Sequence, residues 1–509
     1  MFRFSPIIVL AVAGLGLVAC DGNDPAGPGE PVQVVEPGPP TTDSLSLALT
    51  RLPKSFYVNP KTGKDTNAGT KLLPFKTLAR ALGSAIAKDT VRLAPGTYSA
   101  TTGERFTNAS QQVQVPAGVL ILGTPAGELT TRLQGVAGET GLNFKGAAIV
   151  RNVVVAGFST GIRATQGVQL LRQIILDQNF FGMDLSGSAQ LKLVASNVHL
   201  VPAANGLVTG VLVKQQAQFT MDGGIMSADG PNCSTGVKGV ELNDASRATF
   251  KNAAAFTQIA GSAIKMTGTS KALLTGLTTI DRDFTGAPGN VPSGACSPNA
   301  SVITFNSASL TVSRARLYST KGSFAVGIAS YSDSPLRVAD AILAGHSGAA
   351  LRINKNVDVV VSGALFSGNQ VAIDGRALEP GNLTITGSNL TQNTTGIEAP
   401  FFKLRNSRIT LNQVGIVVTS QFTDLGLVGD PGNNVISGNT LTGVRFDPPI
   451  INAGVGGIFA AGNTWTASTQ GSDGSGHYPL NPLLNNSSPI GTGKNFALPV
   501  NIGFFQIQL

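Results

Sequence analysis

Charged side chains are scarce in this sequence of 509 residues. Asp, Glu, Lys and Arg together make up 13 %, whereas a globular domain usually has about a quarter. Residues suited to stacking or metal binding are also few, with one Trp, three His and three Cys. No segment after residue 90 sustains the 3.6-residue apolar period of an amphipathic helix. These absences exclude a helix bundle and argue against a zinc site built from clustered His and Cys.

Glycine and short apolar runs dominate instead. The chain contains 62 Gly and 42 % hydrophobic residues. The apolar positions alternate over a few residues between clusters of Ser, Thr, Asn and Gly. This pattern is typical of many short strands joined by tight turns, so it predicts an all-β protein.

The first twenty residues, MFRFSPIIVLAVAGLGLVAC, combine one Arg with a short apolar core. The core is shorter than the roughly 20 apolar residues that span a bilayer, so residues 1–19 are predicted to be an export signal. The ending from Leu17 to Cys20 resembles the lipobox of bacterial lipoproteins. This resemblance implies cleavage before Cys20 and acylation of that residue, with an ordinary secretory signal as the alternative. We therefore expect an exported protein whose lipid anchors it to a membrane of the bacterial cell envelope, cytoplasmic or outer.

Residues 20–52 have the composition of an acidic linker. Six prolines and five acids, but no Lys or Arg, lie between Asp21 and Asp43. Such a segment cannot bury a core, so we predict a disordered spacer. Leaving out Arg3 and the five acids raises the net charge from +8 for the whole chain to +12 for residues 51–509. A basic body favours an anionic partner, such as acidic polysaccharide or another envelope component, and solvated charge without a partner is the alternative.

Cys233 and Cys296 remain when Cys20 carries the lipid. Each lies in a stretch rich in Pro, Gly and Ser, DGPNCSTG and PSGACSPN, which is typical of surface loops. An even pair of cysteines in an exported protein is a candidate disulfide. A bridge between Cys233 and Cys296 is therefore predicted, with two unbridged thiols as the alternative.

An Asn recurs between short apolar runs in the second half of the chain. The segments LFSGNQVAI, LTQNTTGI, ITLNQVGIV and ISGNTLTGV place it at Asn369, Asn393, Asn412 and Asn439, which are 24, 19 and 27 residues apart. A loose period of this length in strand-like sequence predicts a β-solenoid whose coils pair in parallel. The connections are expected to be right-handed. A β-sandwich is the alternative, but it would not require a recurrent Asn.

These asparagines are predicted to mark a corner of each coil. We expect them to adopt the left-handed backbone conformation and to stack as a ladder of hydrogen-bonded amides along the solenoid axis. Gly415, three residues after Asn412, is expected to supply the next bend, because Gly adopts such conformations at little steric cost.

The segment PFKTLARALGSAIA predicts a short amphipathic helix with Phe75, Leu78, Leu82 and Ile86 on one face. An open solenoid end invites pairing with other chains, so this helix is expected to cap the first coil. The predicted segments are the signal peptide 1–19, the linker 20–52, the cap with the first coil 53–100, the coils 101–465 and a C-terminal cap or tail 466–509.

The segment from Tyr57 to Ala100 resembles the DUF1565 module found in many right-handed parallel β-helix proteins. The matching motifs are YVNPKTGKDTNAG, PFKT, DTV and PGTY. The later coils are similar in general to the pectate-lyase-like superfamily. The resemblance implies a right-handed parallel β-helix with a short N-terminal capping helix. Because that superfamily contains lyases, glycosidases, esterases and adhesins, it does not by itself indicate one function.

The catalytic motifs that the resemblance implies for pectate lyases and polygalacturonases are not intact in this sequence. Only IDRDF brings two acids and a base close together. Asp281, Arg282 and Asp283 are therefore weak candidates for catalysis, and Asp281 and Asp283 for binding Ca²⁺. A solvated loop is the alternative interpretation, and no cofactor is required.

The histidines carry little catalytic signal. His346 occupies the place of the recurrent Asn and is expected to be a hydrogen-bonded corner residue, whereas His199 has no acid near it in the sequence and is expected to lie on the surface. No phosphate-binding glycine loop or nucleic-acid motif is present, so no specific nucleic-acid partner is expected.

Two hypotheses from different classes follow. The first is a lipid-anchored β-helix that binds or organises anionic envelope polysaccharide or other surface components. It is favoured by the missing catalytic motifs, the few acids and the tether. The second is a diverged polysaccharide lyase or glycoside hydrolase of the pectate-lyase-like superfamily.

Overall fold

The computed structural model describes most of the chain between residues 51 and 465. The described residues are 51–106, 113–125, 130–200, 208–228, 237–259, 261–281, 300–319, 326–355, 358–378, 383–419, 423–427, 429–446, 460 and 462–465. Cys20, Cys233, Cys296, Arg282 and Asp283 lie outside them, as do the predicted signal peptide, nearly all of the linker and the C-terminal tail. The disulfide and the lipid attachment therefore stay predictions.

Three long sheets contain the strands of the described residues. Sheet A contains β1 (Ser55–Val58), β2 (Thr90–Leu93), β5 (Leu120–Leu122), β8 (Ala148–Arg151), β11 (Val168–Arg172), β14 (Gln190–Val194), β17 (Gln218–Asp222), β20 (Arg247–Lys251), β23 (Lys271–Leu274), β26 (Ser309–Ser313), β29 (Leu336–Ala339), β32 (Val359–Ser362), β35 (Leu383–Thr386) and β38 (Lys403–Arg405). Sheet B contains β3 (Gly96–Tyr98), β6 (Thr131–Gln134), β9 (Val154–Ala156), β12 (Ile175–Asp177), β15 (Asn197–Leu200), β18 (Ile225–Ala228), β21 (Ala255–Thr257), β24 (Thr279–Asp281), β27 (Arg316–Tyr318), β30 (Ile342–Ala344), β33 (Leu365–Ser367), β36 (Asn389–Thr391), β39 (Arg408–Thr410), β41 (Val435–Ser437) and β43 (Thr464–Trp465). Sheet C contains β4 (Gln114–Val115), β7 (Thr140–Phe144), β10 (Thr160–Ala164), β13 (Phe181–Leu185), β16 (Thr209–Val213), β19 (Lys238–Leu242), β22 (Ile264–Met266), β25 (Ala300–Asn306), β28 (Val326–Ser332), β31 (Ala349–Ile353), β34 (Val371–Asp374), β37 (Thr395–Ala399), β40 (Val414–Val418) and β42 (Thr442–Phe446).

The chain visits the sheets in the repeating order A, B, C, so each round is one coil of a parallel β-helix. Each strand pairs in parallel with the strand of the same sheet in the next coil, as Ile162 does with Met183 and Leu176 with Val198. The predicted parallel solenoid is confirmed. The β-sandwich is excluded, because the strands within each of its two facing sheets would be antiparallel.

Alternating side chains build the interior. In sheet C, Leu142, Ile162, Met183 and Val211 lie at paired positions of successive coils and are all fully buried. A continuous apolar column of this kind forms because the register between coils places equivalent residues about 4.8 Å apart. The residues between them point outward, so the outer faces of the three sheets carry the polar side chains.

The four recurrent asparagines lie in one buried column at the corner between sheets B and C. The Nδ2 of Asn369 donates to Asn393 Oδ1 at 2.9 Å, Asn393 Nδ2 donates to Asn412 Oδ1 at 2.9 Å, and Asn412 Nδ2 donates to Asn439 Oδ1 at 3.1 Å. His346 extends the column, with its Nδ1 2.9 Å from Asn369 Oδ1. The amides therefore link successive coils from inside the corner, where water does not compete.

Two details of this corner differ from the sequence-based expectation. The left-handed residue is the one before each Asn, for example Gln392 with φ 57° and Leu411 with φ 57°, and not the Asn itself. Gly415 does not form a bend. A Cβ at Gly415 would overlap the carbonyl oxygen of Gly443 and lie 2.9 Å from Asn439 Nδ2, so Gly fits the ladder residue of the next coil without a local shift.

A second buried column, at the corner between sheets A and B, was not predicted. Ser388 Oγ accepts from Ala364 N at 3.2 Å, Ser407 Oγ accepts from Ser388 N at 3.1 Å, and Asn434 Oδ1 accepts from Ser407 N at 3.0 Å. Ser is common in turns throughout this chain, so its recurrence at a corner gave no distinct signal in the sequence.

Helix α1 (Leu78–Ser84) packs against β1, β2 and β4 at the N-terminal end of the coils. Leu78 and Leu82 are buried, as is Phe75 before the helix, whereas Ile86 is 50 % exposed. The prediction for Ile86 was wrong because the helix ends at Ser84 and Ala85 is already extended. No helix of the described residues is long and apolar enough to cross a membrane.

The N-terminus of α1 is held by a distant carboxylate. Glu104, only 1 % exposed, accepts from Leu78 N at 2.5 Å and from Ala79 N at 3.1 Å. These two N–H groups have no partner within the helix, since the first turn of any helix leaves its donors unsatisfied. Burial raises the pKa of Glu104, although the backbone N–H groups of Leu78 and Ala79 oppose the shift.

Glu104→Ala is expected to destabilise the helix by about 2 kcal/mol, because it leaves two amide donors without an acceptor. Because its pKa is raised on folding, Glu104 contributes most stability below its unfolded pKa and loses that contribution as the pH rises through its folded pKa. Hydrogen exchange of the peptide containing α1 would show this directly. After the exchange rates are corrected for intrinsic exchange, the wild type should lose protection relative to Glu104→Gln as the pH rises. Parallel pH profiles of the two proteins would contradict a raised pKa of Glu104.

Candidate anion-binding face

The residues predicted for catalysis do not form a site in the described part of the chain. Asp281 is the last residue of β24 and lies on the outer face of sheet B, between Thr257 and Tyr318 of the neighbouring coils. Arg282 and Asp283 are outside the described residues. No group of three or more His, Cys, Asp or Glu among the described residues is placed to hold a metal ion.

Sheet B also carries an ion-pair cluster that the sequence did not reveal. His199 Nδ1 lies 2.9 Å from Asp177 Oδ1, and an Arg132 nitrogen lies 3.1 Å from Asp177 Oδ2. His199 lies half-exposed on the outer face of sheet B, in line with the expected surface position. Its acidic neighbour Asp177 is distant in sequence but comes from the preceding coil and pairs with His199 in register.

Charged side chains on the outer face of sheet C are arranged as ion pairs. Asp184 contacts Lys214 at 2.9 Å and Arg163 at 3.6 Å. Glu241 contacts Lys238 at 2.7 Å and Lys265 at 3.3 Å. Each carboxylate thus contacts two bases from its own or an adjacent coil, so all four bases are paired and the group of four bases and two acids carries a net charge of +2.

Sheet C also brings two carboxylates to adjacent coils. Asp374 and Glu398 pair in register, and Arg376 lies 3.0 Å from Asp374 and 3.6 Å from Glu398. Arg352 lies 3.1 Å from the other oxygen of Asp374. Burial alone would raise the pKa of Asp374, but Arg376 and Arg352 outweigh it and hold the pKa below its usual value. Asp374 is therefore an ionised partner of arginines and is unsuited to be a general acid near neutral pH.

Sheet A has the opposite character. Its outward positions from β2 to β23 carry seven cations and one carboxylate, Asp222. Eight paired strands at about 4.8 Å per step extend about 34 Å along the axis. We call this surface the cation face, and its members are Arg92, Arg151, Arg172, Lys192, Arg247, Lys251 and Lys271.

Most of these cations have no partner in the part of the chain that the structure describes. Asp222 takes up two of them, with Lys192 Nζ at 2.8 Å and Lys251 Nζ at 3.7 Å. It also accepts from Asn252 Nδ2 at 2.6 Å, and the hydrogen bond from Lys192 is the main reason why the pKa of Asp222 is lowered. The remaining members make no ion pair or side-chain hydrogen bond with any described residue. They are Arg92, Arg151, Arg172, Arg247 and Lys271.

Register sets the geometry of the unpaired cations. Arg92, Leu122, Arg151 and Arg172 are register partners on four successive strands of sheet A, so they form one row across the sheet. A second row beside it presents the half-buried side chains of Leu120 and Ile149. A ligand lying along the axis would therefore meet positive charge on one side and an apolar strip on the other.

The N-terminal part of this face coincides with a family match. Residues 61–170 match the family model described as "Protein of unknown function (DUF1565)". This segment matches DUF1565. The resemblance predicted for Tyr57 to Ala100 is confirmed, and the DUF1565 match extends through the first coils to include Arg92 and Arg151.

Solved structures with similar coils include a rhamnogalacturonan lyase and a GH136 lacto-N-biosidase from Eubacterium ramulus. The lyase is 12 % identical over 75 % of this chain and 87 % of its own, with a TM-score of 0.28. The lacto-N-biosidase is 10 % identical over 73 % of this chain, with a TM-score of 0.22, and this chain covers 65 % of its length. No curated protein matches the sequence. At these values the likenesses carry no argument about activity.

Proposed function

We propose that this protein binds a linear anionic polysaccharide that lies along the cation face, parallel to the solenoid axis. The observation that carries the proposal is the set of unpaired cations on sheet A, next to two sheets whose acids and bases form ion pairs. Arg92, Arg151 and Arg172 lie in one row of the sheet. Arg247 and Lys271 lie in another row. A linear chain of uronic acids carries one carboxylate per sugar, so several carboxylates can pair with cations of this face at once, which raises the overall affinity. The apolar strip contacts the C–H faces of the sugar rings.

The proposal includes a place in the cell. The signal sequence and Cys20 tether the protein to an envelope membrane through lipid, and the acidic linker 20–52 holds the basic coils away from the anchor. Anionic envelope polysaccharide is then within reach of the cation face. Neither a cofactor nor a metal takes part in binding of this kind.

The test removes charge from one face at a time. The full-length chain and the variant Arg151→Gln/Arg172→Gln/Arg247→Gln are titrated with fluorescent oligogalacturonate at low salt. Removing three cations, of which Arg172 and Arg247 are exposed and Arg151 is half-buried, should weaken binding about 20-fold at low ionic strength and much less at 0.5 M salt, where surface charges are screened.

The matched control is Arg314→Gln/Arg316→Gln/Arg408→Gln, which removes the same charge from exposed arginines outside sheet A. This variant should bind nearly as well as the wild type. Equal weakening in both triple variants would show that net charge alone attracts the polymer, and the proposed site would be wrong.

Cleavage of an anionic polysaccharide is the second candidate function, and the adjacent carboxylates Asp374 and Glu398 with Arg376 favour it. Two carboxylates near a scissile bond are the usual requirement for glycoside hydrolysis. Incubation with uronate polymers, followed by detection of reducing ends and unsaturated products, tests it. Product that disappears in Asp374→Asn would establish catalysis, whereas intact polymer that remains bound supports the binding function.

A further inference from the structure

A pocket of about 400 Å³ lies at the N-terminal end of the cation face. Tyr57 and Arg92 line it from β1 and β2, Leu122 from β5, and Asn152 from the corner after β8. Lys71 reaches it from the loop between β1 and α1. Because Arg92 belongs both to the pocket and to the cation face, the two are continuous.

The loop that forms one wall is fixed by its own hydrogen bonds. Asn59 Oδ1 accepts from Lys61 N at 2.9 Å and from Thr62 N at 3.1 Å. Asn67 Nδ2 donates to the carbonyl of Pro74 at 2.8 Å. The wall is therefore formed without help from a ligand, as is usual for small-molecule sites.

Four polar groups in the pocket are unpaired as far as the described residues are concerned. The Tyr57 hydroxyl, Lys71 Nζ, the Arg92 guanidinium and the Asn152 side-chain amide make no hydrogen bond or ion pair with any described residue. None of the described residues that line the pocket is Asp or Glu, while Leu122 and Pro74 supply apolar surface. Two cations, a hydroxyl and an amide beside an apolar wall suit a ligand that has one carboxylate, several hydroxyls and an apolar ring face.

We propose that this pocket binds one uronic acid residue, at the end of a polysaccharide chain or as the free sugar acid. The inference deepens the proposed function and rests on it for the polymer, because a pocket at one end of the cation face would hold the chain end and fix its direction. Lys71 and Arg92 pair with the carboxylate, and Tyr57 and Asn152 bond the ring hydroxyls. Leu122 and Pro74 contact the ring.

Galacturonate, galactose and inorganic phosphate are the probes, each titrated into the full-length chain and followed by isothermal titration calorimetry. Galacturonate should bind in the wild type and bind about tenfold more weakly in Lys71→Gln, where one charge-assisted contact is lost. Lys61→Gln, which removes an exposed lysine outside the pocket, should bind galacturonate as the wild type does. Galactose, which lacks the carboxylate, should not bind measurably.

Several outcomes separate the pocket from the cation face. Arg151→Gln/Arg172→Gln/Arg247→Gln should keep galacturonate binding while its affinity for the polymer falls about 20-fold. Lys71→Gln should bind galacturonate about tenfold more weakly but lose less affinity for the polymer, because the cation face still holds the rest of the chain. Absence of galacturonate binding in the wild type overturns the pocket proposal even if the polymer binds. Phosphate that binds as tightly as galacturonate, with the same dependence on Lys71, would mark a general anion site and would also overturn it. An oligomer whose terminal carboxylate is methyl-esterified should bind the wild type less tightly than the free oligomer and should bind Lys71→Gln as tightly as the free oligomer does, which identifies the chain end as the ligand of the pocket. Equal binding of the two oligomers to the wild type would contradict that source.

Discussion

Asn412→Ala is expected to lower the free energy of unfolding of the C-terminal coils by about 3–5 kcal/mol. Asn412 is fully buried, and its Oδ1 accepts from both the backbone N and the Nδ2 of Asn393. Its Nδ2 donates to Leu390 O at 3.0 Å and to Asn439 Oδ1. Truncation to Ala leaves buried donors and an acceptor without partners and also opens a cavity, so the two costs add.

Local stability is the quantity to measure, because a solenoid of this length need not unfold in one step. Hydrogen exchange followed by mass spectrometry would report the loss of protection in β36 to β42. Gln413→Ala is the control, since its side chain is exposed next to the same corner. A loss of less than about 1 kcal/mol in Asn412→Ala would contradict a structural role for the amide ladder.

Gly415→Val is expected to cost about 3–4 kcal/mol, because the added side chain has no room beneath the next coil. Its Cβ would overlap Gly443 O and crowd Asn439 Nδ2. Gly415→Ala should cost less, since Ala350 and Ala372 occupy the same place in two other coils and show that one methyl group can be accommodated.

Gly83→Ala in helix α1 is the matched control, because a Cβ there meets nothing within 4 Å. The helix propensity of Ala makes this variant neutral or more stable by up to about 1 kcal/mol. Thermal unfolding by circular dichroism, together with hydrogen exchange of β40, would rank the variants. A Gly415→Val protein as stable as Gly415→Ala would mean that the ladder residue does not fill this space.

The corner column could be predicted because a buried, hydrogen-bonded amide restricts the residue type strongly. Asn369, Asn393 and Asn412 recur for that reason, and their spacing gave the coil length. The backbone at the corner could not be predicted equally well. Several residue types tolerate the left-handed conformation before the Asn, as Gln392 and Leu411 do, so the sequence does not mark that position.

The outward residues were missed because insertions hide the register between coils. Arg151 and Arg172 are 21 residues apart in the sequence and lie on adjacent strands of sheet A. Arg92 and Arg151 are 59 residues apart in the sequence, yet only one strand, β5, lies between them in the sheet. Without the pairing, such distances do not place two arginines in one row.

For Asp374 and Glu398 a usable signal did exist. Each lies five residues after a ladder Asn, Asn369 and Asn393 respectively, so alignment on the Asn would have placed the two carboxylates side by side. The distance along the chain hides this pair, because Asp374 and Glu398 are 24 residues apart.

The dependence of affinity on oligomer length tests most directly whether the cation face holds an extended polyanion. Oligogalacturonates of increasing length would be titrated into the full-length chain at constant low salt. The affinity should rise with each residue until the oligomer spans about 34 Å, roughly seven or eight sugars, and then level off. A short oligomer has more ways to lie on the face, so the affinities are first corrected for the number of possible positions. If a trimer and an oligomer that covers the whole face then bind equally well, the cation face does not hold an extended polyanion.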